Sequence, residues 1–428
     1  MQDQNTTAPL LTSYQKFVIF ILAITQFTVI LDFMVMSPLG DILMKDMKLS
    51  PSQFGIAVSA YAFSAGASGL LTAGFADKFD RKKLLLFFYI GFIIGTLLCG
   101  VVDTFVTLVA ARIFTGLFGG VIGSISMAIV ADLFALQQRG RVMGFLQMGF
   151  GASQVMGIPI GLYLADKWHW HMPFLWIAIM AAIVAVLIGV RMGPINAHLA
   201  VKQDKSPFLH LWHTVRNADY RIGFTATALL SIGGFMMMPF GTAFAVNNQG
   251  VSHSQLPLIF MVAGVSTLFL MPMIGKLSDK VDKLKLFAIA CLWMIAVVVV
   301  YTHLANAALW IVIGFNVLMM IGITGRMVPS TALVTGVPEM KDRGAFMSIN
   351  SSLQQIAGGV AAAFAGTIVV QQTTTSPLEH YDIVGYIVAA ITLISIWLMW
   401  RVNKMVKRKL AAAPPVHTEF TDVPVQEI

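Results

Sequence analysis

The chain has 428 residues, of which 57% are hydrophobic and only 11% are charged, and its mean hydropathy is +0.80. These values exclude a soluble protein and indicate that lipid surrounds much of the fold. The net charge of +8 comes from short basic clusters between apolar segments, so we expect topology signals and no nucleic-acid partner.

Apolar segments long enough to cross a membrane, about 20 residues each, begin close to the amino terminus. The first follows a polar stretch that ends at Lys16 and has no small-residue cleavage site, which predicts a spanning helix instead of a removable signal peptide. The pattern predicts twelve spanning helices, near residues 17–39, 52–76, 84–102, 105–131, 142–165, 172–191, 222–246, 256–277, 286–303, 308–335, 345–370 and 383–401.

The longest polar interruption, from Met192 to Arg221, divides these segments into two sets of six. We therefore predict a first six-helix bundle over residues 1–191, a cytoplasmic linker over 192–221, a second bundle over 222–402 and a disordered cytoplasmic tail over 403–428.

Three short sequences of the first set recur in the second set at an offset of about two hundred residues. FMVM at 33–36 recurs as FMMM at 235–238, DKFDR at 77–81 as DKVDK at 279–283, and RGRVM at 139–143 as RGAFM at 343–347. These matches predict an all-α integral membrane protein with two pseudo-symmetric six-helix bundles. Such paired bundles are the architecture of secondary transporters, and the pattern does not suggest an enzyme.

The basic residues also predict the orientation. If every apolar segment crosses once, three lysines lie on one side, at Lys45, Lys48 and Lys167, and the other lysines and arginines of the loops lie opposite. The crowded side is expected to be cytoplasmic. We therefore predict a multi-pass monomer of a bacterial inner membrane, with both termini in the cytoplasm and a small-molecule substrate.

The two cysteines, Cys99 and Cys291, lie inside apolar segments, where a free thiol behaves as a small hydrophobic group. They indicate neither a disulfide framework nor a metal site. We expect no bound cofactor, with protons as the coupling ion.

The segment from Gly74 to Lys83, GFADKFDRKK, resembles the signature loop between the second and third helices of the major facilitator superfamily. The resemblance implies a conformational latch, in which an acidic residue at a helix end engages basic groups and a neighbouring helix dipole in one transport state. The latch residues implied by the loop and its repeat are Gly74, Asp77, Arg81, Arg139, Asp279, Lys280 and Arg343. The alternative is that the basic residues of this loop only determine the orientation of the chain in the membrane.

The fourth and fifth helices extend the resemblance. Arg112 precedes a glycine-rich face, as in the family's fourth helix, although Thr115 stands where glutamine is usual. Gly157, Pro159 and Gly161 resemble the family's fifth-helix antiporter motif, although the proline does not directly follow the glycine. This departure, together with the segment WHWHMPF at 168–174, resembles the arabinose efflux permease-like branch of the twelve-helix drug and sugar exporters. The two glycines and the proline are candidates for a hinge or a seal between the bundles, and simple close packing is the alternative.

Asp32 is the candidate for proton coupling, because it lies among apolar residues of the first helix and the repeat places Gly234 at its counterpart. A charge at this depth costs about 2.5–3.5 kcal/mol on insertion scales, so it must pair, take up a proton or face water. The alternative is a permanent structural ion pair with Arg112. Arg326 is the other charge inside a helix, and it either binds substrate or pairs with a polar neighbour.

Uncharged polar residues inside spanning helices usually face the interior, and methionine and phenylalanine offer a soft wall for apolar ligands. Together with Arg326, the substrate-binding candidates are Gln26, Met36, Tyr61, Gln147, Gln154, Phe235, Met238, Asn316, Asn350 and Gln354. Three histidines near helix ends are expected to be solvated, namely His253, His303 and His380.

The sequence therefore favours a secondary transporter that exports a small amphipathic, cationic, drug-like or sugar-like solute in exchange for protons. The alternative is an importer or facilitator of a small organic anion that uses Arg112 and Arg326. A membrane receptor or scaffold would leave the paired loops without a purpose.

Overall fold

The computed structural model describes residues 11–72, 75–134, 136–196, 199, 207–339 and 342–412. Within these residues the chain forms sixteen α-helices. They are α1 Ser13–Val35, α2 Gly40–Asp46, α3 Pro51–Thr72, α4 Arg81–Cys99, α5 Phe105–Leu133, α6 Leu136–Ala152, α7 Ile158–Lys167, α8 Met172–Arg191, α9 Pro207–Arg216, α10 Ala218–Phe235, α11 Gly241–Asn247, α12 Leu256–Lys280, α13 Lys283–Thr302, α14 Leu309–Thr335, α15 Arg343–Ile368 and α16 Tyr381–Ala412.

Eleven helical segments of the described chain are long and apolar enough to cross a membrane. The helix α15 has 26 residues and is long enough as well, but polar residues such as Asn350, Gln354 and Gln355 lower its hydropathy. With α15 the fold has twelve spanning segments, which confirms the predicted all-α membrane architecture.

Prolines break three of the predicted continuous spans. Helix α1 ends at Val35, before Pro38, and α10 ends at Phe235, before Pro239, so each continues as a separate short helix. A proline has no N–H to donate to the carbonyl four residues before it, and its ring clashes with that carbonyl, so neither helix continues through its proline. The fifth span is interrupted by a π-helical turn before Pro159, so it consists of α6 and α7.

Two predicted polar regions contain more helix than expected. The linker includes α9, and α10 begins at Ala218, inside the predicted linker. The prediction of a disordered tail is wrong over the first ten residues of the tail, because α16 continues to Ala412. Its last turns contain Lys407 and Lys409, and basic side chains favour the carboxyl end of a helix. The rest of the predicted tail, residues 413–428, lies outside the described residues.

The two halves have the same order of elements. In the first half, α1 is followed by the short α2, then by α3, α4, α5, the pair α6 and α7, and α8. In the second half, α10 is followed by the short α11, then by α12, α13, α14, α15 and α16. We call the face of the bundle that carries α2 and α11 the distal face, and the opposite face, which carries Thr12 and the end of α16, the tail side.

Helices α3 and α15 form a close seam between the halves. A Cβ atom on Gly55 would lie 2.7 Å from the carbonyl oxygen of Ala362, and one on Gly66 would lie 2.8 Å from that of Ser352. A larger residue at either glycine would therefore push the backbones apart.

A polar cluster joins the halves at the distal face. The carboxylate of Asp41, which is 1% exposed, lies 2.6 Å from Nε2 of His253 and accepts a hydrogen bond of 2.5 Å from Asn247, both in the second half. Lys45 of the same short helix donates to Asp41 at 2.8 Å. The expectation that His253 is merely solvated is therefore wrong, since its ring contacts a buried acid across the interface.

These hydrogen bonds also set the charge of Asp41. Burial by itself raises the pKa of this carboxyl, but the hydrogen bonds from His253, Lys45 and Asn247 outweigh burial and leave the pKa below its usual value. A lowered pKa means that the charged form is the one stabilised by the fold. The contribution of Asp41 is therefore fully present above the ordinary aspartate pKa of about 4. It is lost only as the pH falls through the lower folded value.

We predict that Asp41→Asn loosens the distal contact by about 1–3 kcal/mol, because charge-assisted hydrogen bonds across the interface are lost. Spin labels at the exposed positions 48 and 254 should report a longer or broader distance by pulsed electron resonance. Acidification of the wild type to about pH 5 should not reproduce the effect, since Asp41 stays ionised there.

The matched control is Asp46→Asn, which removes an exposed acid from the same short helix. A distance distribution that is the same for Asp41→Asn, Asp46→Asn and wild type would contradict a role for Asp41 in holding the distal face closed.

Candidate functional site

A cavity of about 440 Å³ lies between the two halves, beneath the distal face. The first half contributes Ile30, Phe33 and Met34 of α1, together with residues of α6, α7 and the turn between them. The second half contributes residues of α10 to α14 and Tyr381 of α16. A volume of this size suits a small organic molecule.

The cavity wall is mostly apolar and polarizable. Among its described residues are six methionines and six aromatic residues, namely Met34, Met237, Met238, Met294, Met319, Met320, Phe33, Phe150, Phe235, Phe260, Tyr301 and Tyr381. Flexible thioethers and aromatic faces adapt to apolar ligands of different shapes. The polar side chains are few, and one of them, Gln154, has a buried Oε1 atom without a hydrogen-bond partner.

Arg326 is the one charged side chain among the described residues that line the cavity. Its side chain is buried, with 4% exposed. Nη1 donates a long hydrogen bond of 3.4 Å to Oγ1 of Thr392, and Nε has no hydrogen-bond partner in the part of the chain that the structure describes. Of the two alternatives left open by the sequence, the polar neighbour exists, but it is neutral and satisfies little of the guanidinium.

Asp32 and Arg112 form an ion pair inside the first half. Nη1 of Arg112 lies 2.9 Å from Oδ2 of Asp32, and the two side chains are 1% and 0% exposed. Thr96 of α4 donates to Oδ1 of Asp32 at 3.1 Å. The pair thus joins α1, α4 and α5, and neither charge lines the cavity. The two charges compensate each other, which lowers the cost of burying them.

Two aromatic rings connect this pair to the cavity. The guanidinium carbon of Arg112 lies 4.6 Å from the ring centroid of Tyr61, a cation–π distance. Phe33, which follows Asp32 in α1 and lines the cavity, packs on Tyr61 with centroids 5.3 Å apart. A ligand that contacts Phe33 is therefore two side chains away from the ion pair.

Five of the predicted substrate-binding residues line the cavity, namely Gln154, Phe235, Met238, Asn316 and Arg326. Five others lie elsewhere. Met36 is completely buried in the core, Tyr61 covers Arg112, and Gln26 lies beside Gly123 of α5. Asn350 is buried and Gln354 exposed on α15, outside the cavity lining. The side chain of Gln147 lies outside the described residues.

A helical spacing could have identified more of the wall. Met319, Met320 and Ile323 lie between Asn316 and Arg326 on α14 at intervals of three and four residues, and all of them line the cavity. Residues spaced in this way share one face of a helix. Tyr301, Tyr381 and Thr242 offer no comparable signal, because they reach the cavity from helix ends that only the fold brings together.

The candidate hinge lies next to the π-helical turn Ser153–Gly157. Pro159 lacks a backbone N–H, and π-turns are often found at functional sites. A Cβ atom on Gly157 or Gly161 would clash with Leu31 or Val35 of α1, so both glycines pack within the first half.

The second half approaches this turn from α12. A Cβ atom on Gly264 would lie 2.9 Å from the backbone of Gln154 and of Val155. The close contact between halves at this level therefore depends on Gly264, which the sequence reading did not single out.

The predicted latch residues lie on the tail side, where some of them form contacts within one half. Arg81 lies 3.1 Å from Asp132 of α5, and Arg139 donates to the carbonyl oxygens of Phe134 and Ala131 at the end of α5. Asp279, Lys280 and Arg343 are exposed. Gly74 and the side chain of Asp77 lie outside the described residues.

Among the described residues, no group of three histidine, cysteine or acidic side chains could hold a metal ion. Cys99 and Cys291 are free thiols, both buried. The site of interest is therefore the cavity together with the ion pair beside it.

Comparisons with known proteins agree with this architecture. A family model described as Major Facilitator Superfamily matches residues 22–335 and, in a second match, residues 223–423. The uncharacterized MFS-type transporter YceJ of Bacillus subtilis is 22% identical over 397 residues, which cover 90% of this chain and 96% of that protein. The bicyclomycin resistance protein homolog of Haemophilus influenzae is 25% identical over 281 residues, or 62% of this chain and 68% of that protein.

Among solved structures, a D-xylose-proton symporter superposes with a TM-score of 0.76, covering 92% of this chain and 99% of the symporter at 16% identity. At this level of identity the likeness shows the fold alone. The family model, in contrast, covers more than half of the chain. The chain therefore belongs to the Major Facilitator Superfamily, and it is a membrane transporter and not an enzyme.

Proposed function

We propose that this protein is a proton-coupled secondary transporter that moves a small amphipathic solute through the central cavity by alternating access. The observation that carries the proposal is the buried Asp32–Arg112 pair, which lies two aromatic side chains from the cavity. A relative is named for bicyclomycin resistance and a structural neighbour is named as a proton symporter. These names favour export of a drug-like solute and coupling to protons.

The coupling step follows from the cost of a buried charge. When Asp32 takes up a proton, the pair with Arg112 changes from neutral to a net charge of +1, and the guanidinium is left without a counter-ion. An unpaired cation in a protein interior is strongly unfavourable. Protonation therefore favours a rearrangement of α1, α4 and α5, and Phe33 carries that rearrangement to the cavity wall.

The orientation proposed from the lysines also suits this cycle. The lysines assigned to the non-cytoplasmic side, Lys45, Lys48 and Lys167, lie in α2, just after it and at the end of α7, at the distal end of the spans. We propose that the tail side faces the cytoplasm. The distal polar cluster then closes the outer side, and its opening would expose the cavity outward, as alternating access requires.

A facilitator without proton coupling is the second candidate. It is favoured by the complete burial of Asp32 and by the absence of both charges from the described cavity lining. In that case the pair would only hold α1, α4 and α5 together.

We predict that Asp32→Asn uncouples transport from protons while the solute still moves down its own gradient. The reason is that the amide side chain of asparagine does not take up or release a proton in this pH range. The measurement uses proteoliposomes with an internal pH dye and four probes, namely bicyclomycin, D-xylose, ethidium and biphenyl-4-carboxylate. For any probe that the wild type moves together with protons, the variant should move the probe without a pH change.

The control is Asp46→Asn, which changes the net charge equally but lies on the surface. Proton movement by Asp32→Asn at the wild-type ratio would rule out Asp32 as the coupling group. If the wild type moves probes without protons, the facilitator is the better account.

We further predict that Arg112→Gln destabilises the protein by about 3–5 kcal/mol, because it leaves the buried Asp32 without its partner. The double variant Arg112→Gln with Asp32→Asn should lose less free energy of unfolding than the two single variants lose together. The free energy of unfolding is measured in detergent for the two single variants and the double variant, with Arg191→Gln at an exposed position as the matched control. Additive losses would mean that the two side chains do not interact energetically.

A further inference from the structure

The charge balance of the cavity differs from that of the ion pair beside it. Arg112 is neutralised by Asp32 and lies outside the cavity lining, whereas Arg326 contributes its positive charge to the cavity wall. No acidic side chain of the described chain lies within ion-pair distance of Arg326. Among its described lining residues, the cavity therefore has one positive charge in a mostly apolar wall.

The sequence around Arg326 explains why no counter-ion is near. Helices α13 and α14 contain no acidic residue, and the nearest acid of α16 is Asp382, ten residues before Thr392. At a rise of 1.5 Å per residue, ten residues correspond to about 15 Å along the helix. The thiol of Cys291 interacts electrostatically with Arg326, but a thiol is ordinarily protonated at neutral pH.

An arginine without a counter-ion among the described residues is unusual when only 4% of the residue is exposed. Buried charges in proteins are paired, hydrogen-bonded or neutralised by a ligand. Thr392 supplies one long hydrogen bond, and Nε remains unsatisfied. A ligand that enters the cavity can supply the counter-charge, and a planar carboxylate matches the fork of guanidinium donors best.

Resting on the proposed function, we propose that the transported solute is a small amphipathic organic anion whose carboxylate binds Arg326 in the cavity. The apolar body of the solute packs on the methionine and aromatic wall that includes Phe235, Met238, Met319 and Met320. The unpartnered Oε1 of Gln154 accepts a hydrogen bond from any hydroxyl or amide N–H of the solute. Cationic compounds are disfavoured, because Arg326 repels them inside a low-dielectric space.

The test is binding at equilibrium to purified protein in an uncharged detergent without anionic lipid. Three probes share one apolar body and differ in charge, namely biphenyl-4-carboxylate, biphenyl-4-carboxamide and 4-phenylbenzylammonium. The carboxylate should bind at least about tenfold more tightly than the neutral amide, as expected for a charge-assisted hydrogen bond. The ammonium probe should bind most weakly.

Two variants and a control locate the effect. Arg326→Gln should abolish the preference for the carboxylate while the amide still binds, and Arg326→Lys should keep part of it, since a lysine has the charge but not the fork. The exposed Arg216→Gln changes the net charge equally and should bind all three probes as the wild type does. Without ligand, Arg326→Gln should unfold no more easily than wild type, because no ion pair is lost.

Several outcomes would overturn the proposal. These are equal binding of the three probes, tightest binding of the ammonium probe, a carboxylate preference that survives in Arg326→Gln, and no binding of any probe. None of them bears on Asp32, because binding is measured without a proton gradient. Failure of the proposed function would appear separately, as unchanged proton movement in Asp32→Asn.

Discussion

The cost of burying charge in a lipid-surrounded bundle is the constraint on which the rest of this structure depends. Apart from Asp41 at the distal face and Arg81 on the tail side, the charged residues that the described chain buries are Asp32, Arg112 and Arg326. Their charges are handled in two different ways. Asp32 and Arg112 compensate each other, and Asp32 also accepts a hydrogen bond from Thr96. Among the described residues, the one hydrogen bond of Arg326 is the long one to Thr392. The Asp32–Arg112 pair suits a group that takes up and releases a proton, whereas Arg326 suits the binding of a negatively charged ligand.

The two halves contact each other in two different ways. Glycines at the seam of α3 and α15, and Gly264 against the π-helical turn, bring backbones from the two halves into contact. Such contacts can slide or separate without losing large side-chain interactions. The distal face is different, because Asp41 holds the halves together there through hydrogen bonds to His253 and Asn247. A transporter that alternates between two states needs both kinds of contact.

Much of this fold was predictable from the sequence. Apolar segments located the spanning helices, and the internal repeat predicted matching halves, because both signals are local or periodic. The sequence could not predict that Asp32 faces Arg112 while its neighbour Phe33 faces the cavity, since that depends on the rotation of α1 in the bundle. The sequence also did not predict the contact between Asp41 and His253, because two residues more than two hundred positions apart share no local or periodic pattern.

The choice among substrate-binding candidates shows the same limit. Polarity alone selected Asn350 and Gln354 as readily as Asn316. Neither of these two α15 residues lines the cavity, whereas Asn316 and Arg326 of α14 do. Helical spacing along α14 was an available signal for the methionines between them. Residues such as Tyr381 enter the wall from a helix end, and only the three-dimensional arrangement reveals them.

Proton coupling requires that Asp32 changes its protonation state while it remains inside the bundle. Infrared difference spectroscopy on the purified protein during a pH change tests this directly, through the carbonyl stretching band of a protonated carboxylic acid. Proton coupling by Asp32 predicts a component of this band that appears on acidification in the wild type and is absent from Asp32→Asn. A spectrum without the band, or a band that persists unchanged in that variant, would contradict it.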